Sequence, residues 1–431
     1  MGTEIALSIG GIDVSWSKNS MGMNHGHLFQ EKDRRRFQSD QIDYDYFKDK
    51  DEDDELAAME IGFIKPLRDV LPRLELLGYS LARVKQDYER AAEDSAEDNR
   101  LTTEIGIPKT DKSVDFETFL SFIREFAIKD LDTTAIFDLD EVGQTKIRGR
   151  FNRREVVEKF PFFDPNEDQA YSELSYFGGL VGFLLPYSIL RVLAENPDNL
   201  SVSVTWQYGP LVEAGWEKPD LFNPLVRRRE TFLIATEGSS DAHILRHAID
   251  LLRPEMSDFF RFIDMSDRHP FPGTGNLHKF AEGLCKIDVH NQLVLVYDND
   301  AEGRYTFMRT QKLGLPDNMR VALLPDLEEF KLFPTIGPDG QGEMNINGRA
   351  AAIECYLDLT SPKTPDPVVR WSKFFSDLDA YQGVLESKGQ FMKAFLNLRS
   401  ETMGTSGYDF SKINCVLDAL YWECVSIAEN A

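Results

Sequence analysis

Two stretches of the sequence decide the fold: Phe232-Leu-Ile-Ala-Thr-Glu-Gly-Ser-Ser-Asp241 and Leu293-Val-Leu-Val-Tyr-Asp-Asn-Asp300. In each, a short apolar run ends abruptly in acidic residues. A continuous apolar run of this length, without polar alternation, is typical of a strand that is covered on both faces. The two stretches therefore predict buried strands of a parallel sheet, with carboxylates at the point where each strand ends.

The sequence around these stretches alternates between strand-like and helix-like segments. Short apolar runs occur at residues 232–236, 260–264, 293–297 and 320–324. The segments between them have helical spacing of apolar residues, at 240–252, 277–286 and 302–313. A βαβαβαβ order predicts a parallel sheet sandwiched between helices.

Acidic residues follow two strands of this predicted sheet. Glu237 and Asp241 follow the first strand, and Asp298, Asp300 and Glu302 follow the third. Ligands of such sheets bind at the carboxyl ends of the strands, so we expect these side chains to converge there. Clustered carboxylates raise each other's pKa unless they share a cation or protons, and Mg²⁺ prefers carboxylate and phosphate oxygens. The pattern indicates metal-assisted phosphoryl transfer, with helix capping as the alternative role for the acids.

The pair of motifs EGxxD and DxDxxG, two strands apart, resembles the Toprim domain over residues 231–324. The resemblance implies that Glu237 is the Toprim glutamate and that Asp298 and Asp300 are its DxD pair. Asp241 resembles an additional acid of the nucleases named for overcoming lysogenisation defect (OLD). This implies a nuclease-like site with Mg²⁺, or Mn²⁺ in its place.

More of the chain resembles the bacterial HEPN/Toprim-associated family, in which a characteristic N-terminal region precedes a Toprim domain. The segments that carry this resemblance are Trp16-Ser-Lys-Asn19, Leu211-Val-Glu-Ala-Gly-Trp216, Ile346-Asn-Gly-Arg-Ala-Ala-Ala-Ile-Glu354 and Tyr381-Gln-Gly383 with Lys388. The resemblance implies that Glu354 is a ligand of a second metal and that Lys388 stabilises the phosphorus or the leaving oxygen. Asn345 stands where the family pattern leads us to expect an aspartate, which places a metal role at that position in doubt.

These observations predict an α/β chain in three parts. Residues 1–228 are the mixed α+β N-terminal region, and residues 229–360 are the Toprim (Rossmann-like) domain, a parallel sheet with flanking helices. Residues 361–431 are predicted to be a helical extension that packs on it, because aromatic residues from Trp371 to Phe395 recur at helical spacing. In the N-terminal region, the spacing predicts helix over residues 53–89, broken or kinked at prolines, and a loop over residues 92–112.

Composition excludes several classes of protein. With 48 Lys and Arg against 73 Asp and Glu, the net charge of −25 argues against general coating of DNA, although a local basic groove is compatible with it. The apolar stretch from Leu174 to Leu190 contains three glycines and Pro186, so we expect a buried core element and no membrane span. Four cysteines without CxxC spacing and a start without a signal-peptide pattern favour the cytoplasm.

The basic residues that we expect to contact nucleic acid are Arg227, Arg228, Arg304 and Arg309. Arg304 is the preferred contact because it lies two residues after Glu302, where a phosphate would sit. The alternative is that these charges belong to an ordinary solvated surface.

The leading interpretation is a cytoplasmic, Mg²⁺-dependent Toprim nuclease that cleaves DNA or RNA. The resemblance implies an effector of bacterial antiphage defence that is held inactive until triggered. We find no Gly-x4-Gly-Lys-Ser/Thr phosphate loop, so control by nucleotide would need an ATPase or another regulatory protein as partner. Homo-oligomerisation is left open. The alternatives are a non-catalytic binding or sensor subunit of a larger defence complex and a DxD-type nucleotidyl or glycosyl transferase.

Overall fold

The structure is a computed structural model that describes residues 2–39, 41–48, 53–104, 113–137, 140–152, 154–163, 170–263, 274–287, 289–338, 340–360, 364–402 and 407–430. The chain divides into two compact units, residues 1–226 and residues 227–431.

The first unit combines a sheet with helices. Its strands are β1 (Glu4–Ile9), β2 (Ile12–Lys18), β3 (Arg34–Arg36), β4 (Ile61–Pro66) and β5 (Ser203–Gln207). They form one antiparallel sheet in the order β2-β1-β5-β4-β3. Its helices are α1 (Tyr44–Phe47), α2 (Asp53–Met59), α3 (Leu67–Leu76), α4 (Leu81–Glu104), α5 (Phe116–Arg124), α6 (Glu141–Arg148), α7 (Glu173–Val181), α8 (Pro186–Leu193) and α9 (Gly209–Glu213).

Two predictions for this unit are wrong. The helix predicted over residues 53–89 is interrupted by β4, which pairs with both β3 and β5 and buries Phe63 completely. Apolar spacing did not distinguish this strand from helix because its partners lie far away in sequence. The loop predicted over residues 92–112 is the continuation of α4 as far as Glu104; residues 105–112 lie outside the described residues.

The stretch from Leu174 to Leu190 forms α7 and the first part of α8, and most of its side chains are buried, as predicted. Across the described ranges, no single helix is long and apolar enough to span a membrane. The pair α7 and α8 meets that test by length and composition, with a bend of 114° between the two helices.

A buried histidine pair lies in the core of the first unit. The Tyr187 hydroxyl hydrogen-bonds to His25 Nδ1 at 2.9 Å and to His27 Nε2 at 2.7 Å. The His25 ring also packs edge-on against Trp206, with 5.3 Å between ring centroids. Burial, and secondarily the neighbouring His27, lowers the pKa of His25 from its ordinary value of 6.5 to about 3.

The second unit contains the strands β6 (Phe232–Thr236), β7 (Phe260–Phe262), β8 (Gln292–Tyr297), β9 (Asn299–Asp300), β10 (Met319–Leu323), β11 (Phe333–Gly337), β12 (Gly340–Met344), β13 (Ala350–Ala351), β14 (Val369–Phe375) and β15 (Ala380–Leu385). Its helices are α10 (Ser239–Leu252), α11 (Thr274–Lys286), α12 (Ala301–Gln311), α13 (Lys388–Leu396) and α14 (Ser411–Glu429).

The predicted βαβαβαβ alternation is confirmed. The strands β10-β8-β6-β7 form a sheet in that order, and every neighbouring pair is parallel. Alternate residues of β8 face opposite layers: Leu293 and Leu295 pack with Leu277 and Ala281 of α11, whereas Val296 lies beside helices α10 and α14. Helices cover both faces, which explains the uninterrupted apolar run.

The prediction that residues 361–431 are helical is wrong for residues 369–385. Strands β14 and β15 join a second sheet in the order β12-β11-β14-β15, where β14 pairs in parallel with β11 and antiparallel with β15. Trp371, Phe374 and Tyr381 lie on these strands. Their spacing imitated a helix, but the ladder with distant β11 decides the structure. Helices α13 and α14 then follow.

The buried His25 predicts that acid destabilises the first unit. A histidine whose pKa is lowered on folding remains neutral in the native state but takes up a proton in the unfolded state below pH 6.5. Stability is therefore lost progressively as the pH falls from about 6.5 toward 3. Between pH 7 and pH 4.5, the unfolding free energy of the wild type should fall by about 2–3 kcal/mol more than that of His25→Phe, as measured by urea denaturation. The matched control is His290→Phe at an exposed position, and equal acid sensitivity of all three proteins would contradict the prediction.

Candidate active site

The carboxylates that follow β6 and β8 meet at one edge of the parallel sheet. Glu237 comes directly after β6, Asp298 comes directly after β8, and these strands are neighbours. The Asp298 backbone N–H donates to Glu237 Oε1 at 3.0 Å. The structure therefore brings together the two motifs that the sequence separates by 61 residues.

Asp300 lies in β9, which pairs with β13, and begins helix α12. Its Oδ1 accepts a hydrogen bond from the Gly303 N–H at 2.7 Å, which is the geometry of an N-cap. Its Oδ2 accepts a second one from Gln382 Nε2 at 2.5 Å. Both oxygens of Asp300 are thus fixed in direction.

Asp241 lies in the first turn of α10. Its Oδ2 accepts from the Gly238 N–H at 2.9 Å, and its Oδ1 accepts from the Ser240 hydroxyl at 3.0 Å. The residue is buried. Asp241 therefore caps its helix and faces the acidic edge at the same time.

Glu354 and Lys388 also belong to this edge. The Ile353 N–H donates to Asp298 Oδ1 at 2.9 Å, so the residue before Glu354 is held directly against the DxD segment. Glu354 is buried, and its Oε1 lies 3.2 Å from Lys388 Nζ. Asn345 is exposed, and its Oδ1 accepts from the Asn347 N–H in its own loop.

Burial and mutual repulsion raise the pKa of four of these carboxyl groups. Burial is the larger cause for each. The charge of Asp300 adds to it at Glu237, and the charge of Asp241 adds to it at Asp298. Asp241, beside Glu354, reaches a pKa of about 6, and the pKa of Asp300 is also raised. Joint ionisation of these groups is therefore unfavourable unless a positive charge lies beside them.

Lys388 places one positive charge beside these carboxyl groups. Burial opposes the ammonium charge, but the Glu354 carboxylate outweighs that effect and raises the pKa of Lys388. Ser387, directly before it, has a φ of +57°, in the left-handed region that a residue other than glycine rarely adopts. Such backbone strain is common where a side chain must be aimed at a functional site.

The donor set fits a hard divalent cation by its chemistry. Buried carboxylates with raised pKa values are the groups that a cation relieves, and oxygen ligands are those that Mg²⁺ selects. Within the described residues, however, no three Asp, Glu, His or Cys side chains are placed so that they could hold one ion as they stand. In this arrangement the carboxylates accept hydrogen bonds from N–H groups and from the Ser240 hydroxyl, and Glu354 pairs with Lys388.

Of the predicted basic contacts, Arg304 alone lies beside the acidic edge. It is exposed and packs over Gly348, whose N–H donates to Asn299 between the two DxD aspartates. Arg309 stacks on Tyr305 eight residues into α12, about 12 Å along the helix from its start.

Arg227 and Arg228 precede β6, so they lie at the opposite end of the strand from Glu237. The five residues of β6 span about 16 Å between its first residue and the acidic edge. They therefore do not lie among the carboxylates.

Sequence reasoning missed two contacts with the DxD segment. Gln382 binds Asp300, and Lys373 Nζ lies 3.2 Å from Glu302 Oε2. Gln382 lies in Tyr381-Gln-Gly383, a segment that carries the family resemblance, but a neutral amide carries no chemical signal of its own. Lys373 was hidden in a segment that was predicted to be helical.

A helix-flanked parallel sheet with carboxylates at its carboxyl edge defines a class of α/β proteins that bind ligands at that edge. Residues 1–230 of the 431 match the family model described as HEPN/Toprim N-terminal domain 1. The chain belongs to the HEPN/Toprim-associated family. This membership indicates a nuclease-like, nucleic-acid-related function and a nucleic acid substrate at a coarse level. The matched region ends before β6, so the acidic edge lies outside it. No curated protein and no solved structure matches the sequence.

Gly303 lets the DxD segment approach Glu237. A Cβ at this position would collide with the Asp298 carbonyl oxygen and lie 2.9 Å from Glu237 Oε1. Because the first obstacle is backbone, rotation of a side chain cannot relieve it. We expect Gly303→Ala to lower the unfolding free energy by about 1–3 kcal/mol in chemical denaturation.

The matched control is Gly283→Ala in α11, where a Cβ would meet nothing within 4 Å. Since alanine favours helix over glycine, this variant should be stabilised by up to about 1 kcal/mol. If the two variants shift stability in the same direction, Gly303 is not a packing constraint.

Proposed function

We propose that the chain is a metal-dependent nuclease of the Toprim type that hydrolyses phosphodiester bonds in DNA or RNA. The observation that carries this proposal is the convergence of Glu237 with Asp298 and Asp300 at the carboxyl edge of the parallel sheet. Family membership supports the same coarse function independently, since it rests on residues 1–230.

Glu237, Asp298 and Asp300 would hold Mg²⁺ or Mn²⁺, with Asp241 and Glu354 as further ligands. A bound divalent cation neutralises charge on a phosphate and lowers the pKa of a water molecule. The buried carboxylates supply the negative charge that selects a cation at this edge, and their hydrogen bonds fix their directions.

Lys388 would contact the phosphate. Its side chain is 53% exposed, whereas that of Glu354 is only 3% exposed. Lys388 is therefore accessible to solvent while it pairs with a buried carboxylate. A cation in that position stabilises negative charge that develops on the phosphorus or on the leaving oxygen. Arg304, at the start of α12, would hold a neighbouring phosphate.

The resemblance to Toprim effectors supports the finer proposal that the nuclease acts in the cytoplasm in antiphage defence. Its activity would be inhibited until a trigger or a partner protein releases it.

A non-catalytic binding subunit is the second candidate. The observation that favours it is the absence, within the described residues, of three donors already placed around one ion. The transferase alternative has less support, because it gives no role to Glu237, whose Oε1 contacts the DxD segment.

The test is cleavage of labelled single- and double-stranded DNA and of total RNA including tRNA, with Mg²⁺ or Mn²⁺. Glu237→Gln and Asp298→Asn should each lower the cleavage rate at least about 100-fold. Loss of an outer-sphere partner of a metal ligand already lowers metal affinity or activity about 10–100-fold. Glu328→Gln, which alters a side chain that is 86% exposed, is the matched control and should cleave normally.

Metal-dependent cleavage that survives Glu237→Gln would contradict the proposed site. If the wild type cleaves nothing but melts at a higher temperature with Mn²⁺, the binding subunit becomes the better conclusion, because a ligand that binds only the native state stabilises it.

A further inference from the structure

Strand β15 presents a glutamine to the DxD segment. Gln382 is buried and lies opposite Lys373 in the register of β14 and β15. Both side chains reach the start of α12, where Lys373 pairs with Glu302 and Gln382 contacts Asp300. The second sheet therefore touches the acidic edge through one register pair.

The hydrogen bonds fix the orientation of the Gln382 amide. The Glu302 backbone N–H donates to its oxygen, Oε1, at 3.1 Å. Since a backbone N–H can only donate, the amide oxygen must face Glu302, and the NH₂ group must face Asp300. Gln382 Nε2 then donates to Asp300 Oδ2 at 2.5 Å. This assignment follows from the chemistry of the partners.

The backbone next to Gln382 is held against the same segment. The Gly383 N–H donates to the Arg349 carbonyl oxygen at 3.0 Å, and the next residue, Ala350, pairs with Asp300 in the β9–β13 ladder. A Cβ on Gly383 would lie 2.8 Å from the Ala350 Cβ and 2.6 Å from Val369 Cγ1. The lack of a side chain at Gly383 thus permits the close approach that brings Gln382 into reach.

We propose that Gln382 is a positioning residue for Asp300 in the proposed metal site. This inference rests on the proposed function. Each Asp300 oxygen uses one lone pair for a protein donor, Gly303 N–H or Gln382 Nε2, and keeps another for a hard cation. Gln382 holds the carboxylate in that direction and, as a donor, favours its ionised form.

A purely structural role for Gln382 makes a different prediction. A buried amide that only satisfies its own hydrogen bonds would cost stability when it is removed, with no change in affinity for metal. Metal affinity therefore distinguishes the two roles.

The experiment is a titration of the full chain with Mn²⁺, with free Mn²⁺ followed by electron paramagnetic resonance and melting temperature recorded in parallel. Gln382→Met keeps the length of the side chain and removes the donor. Its affinity for Mn²⁺ should be about 10–100-fold weaker, as is typical when an outer-sphere partner is lost. Cleavage should recover toward the wild-type rate when Mn²⁺ is raised by the same factor.

Two further variants keep the test decisive. Gln390→Met, at an exposed position of α13, is the matched control and should bind Mn²⁺ like the wild type. Gln382→Asn retains an amide but is one methylene too short to bridge Asp300 and Glu302, so it should weaken Mn²⁺ binding in the same way even if Gln382→Met does not fold.

Wild-type affinity in both Gln382 variants would overturn the inference and leave the proposed function intact. If the wild-type chain itself neither binds Mn²⁺ nor cleaves nucleic acid, both the inference and the proposed function fail.

Discussion

Negative charge buried at the carboxyl edge of the parallel sheet is the constraint around which the second unit is arranged. Parallel pairing of β6 with β8 forces Glu237 and Asp298 to the same edge, and burial denies them the solvent that would weaken their repulsion. Backbone N–H groups of Gly238, Ile353 and Gly303 point at the neighbouring carboxylates. These donors favour the ionised forms, but the pKa values of Asp241, Asp298 and Asp300 stay raised, so the site remains suited to a cation.

Two lysines lie at two parts of this acidic edge. Lys388 pairs with Glu354, whose charge also acts on Asp241 and Asp298. Lys373 pairs with Glu302, whose charge acts on Glu237 and Asp300. Both lysines come from residues 361–431. The C-terminal segment is therefore part of the site and is more than a support that packs on the sheet.

The sequence was sufficient to predict the parallel sheet because β6 and β8 are unbroken apolar runs. Ligands of such sheets bind at the carboxyl ends of the strands, and this rule identified Glu237, Asp298 and Asp300 as site residues. It was insufficient for β14 and β15, because aromatic residues three and four positions apart imitate a helix and the partner strand β11 is distant in sequence. Gln382 could not be recognised because its role depends on that ladder. Arg227 and Arg228 were grouped with the site by charge alone, whereas strand direction places them at the other end of β6.

The proposed nuclease site requires that the acidic edge binds a divalent cation. Crystals of the full chain soaked in Mn²⁺ test it directly, because manganese gives an anomalous signal that locates the ion. We expect a peak within coordination distance, about 2.0–2.6 Å, of carboxylate oxygens of Glu237, Asp298 or Asp300, which is the range seen for hard cations. A manganese peak elsewhere, or none at this edge in well-occupied crystals, would contradict it.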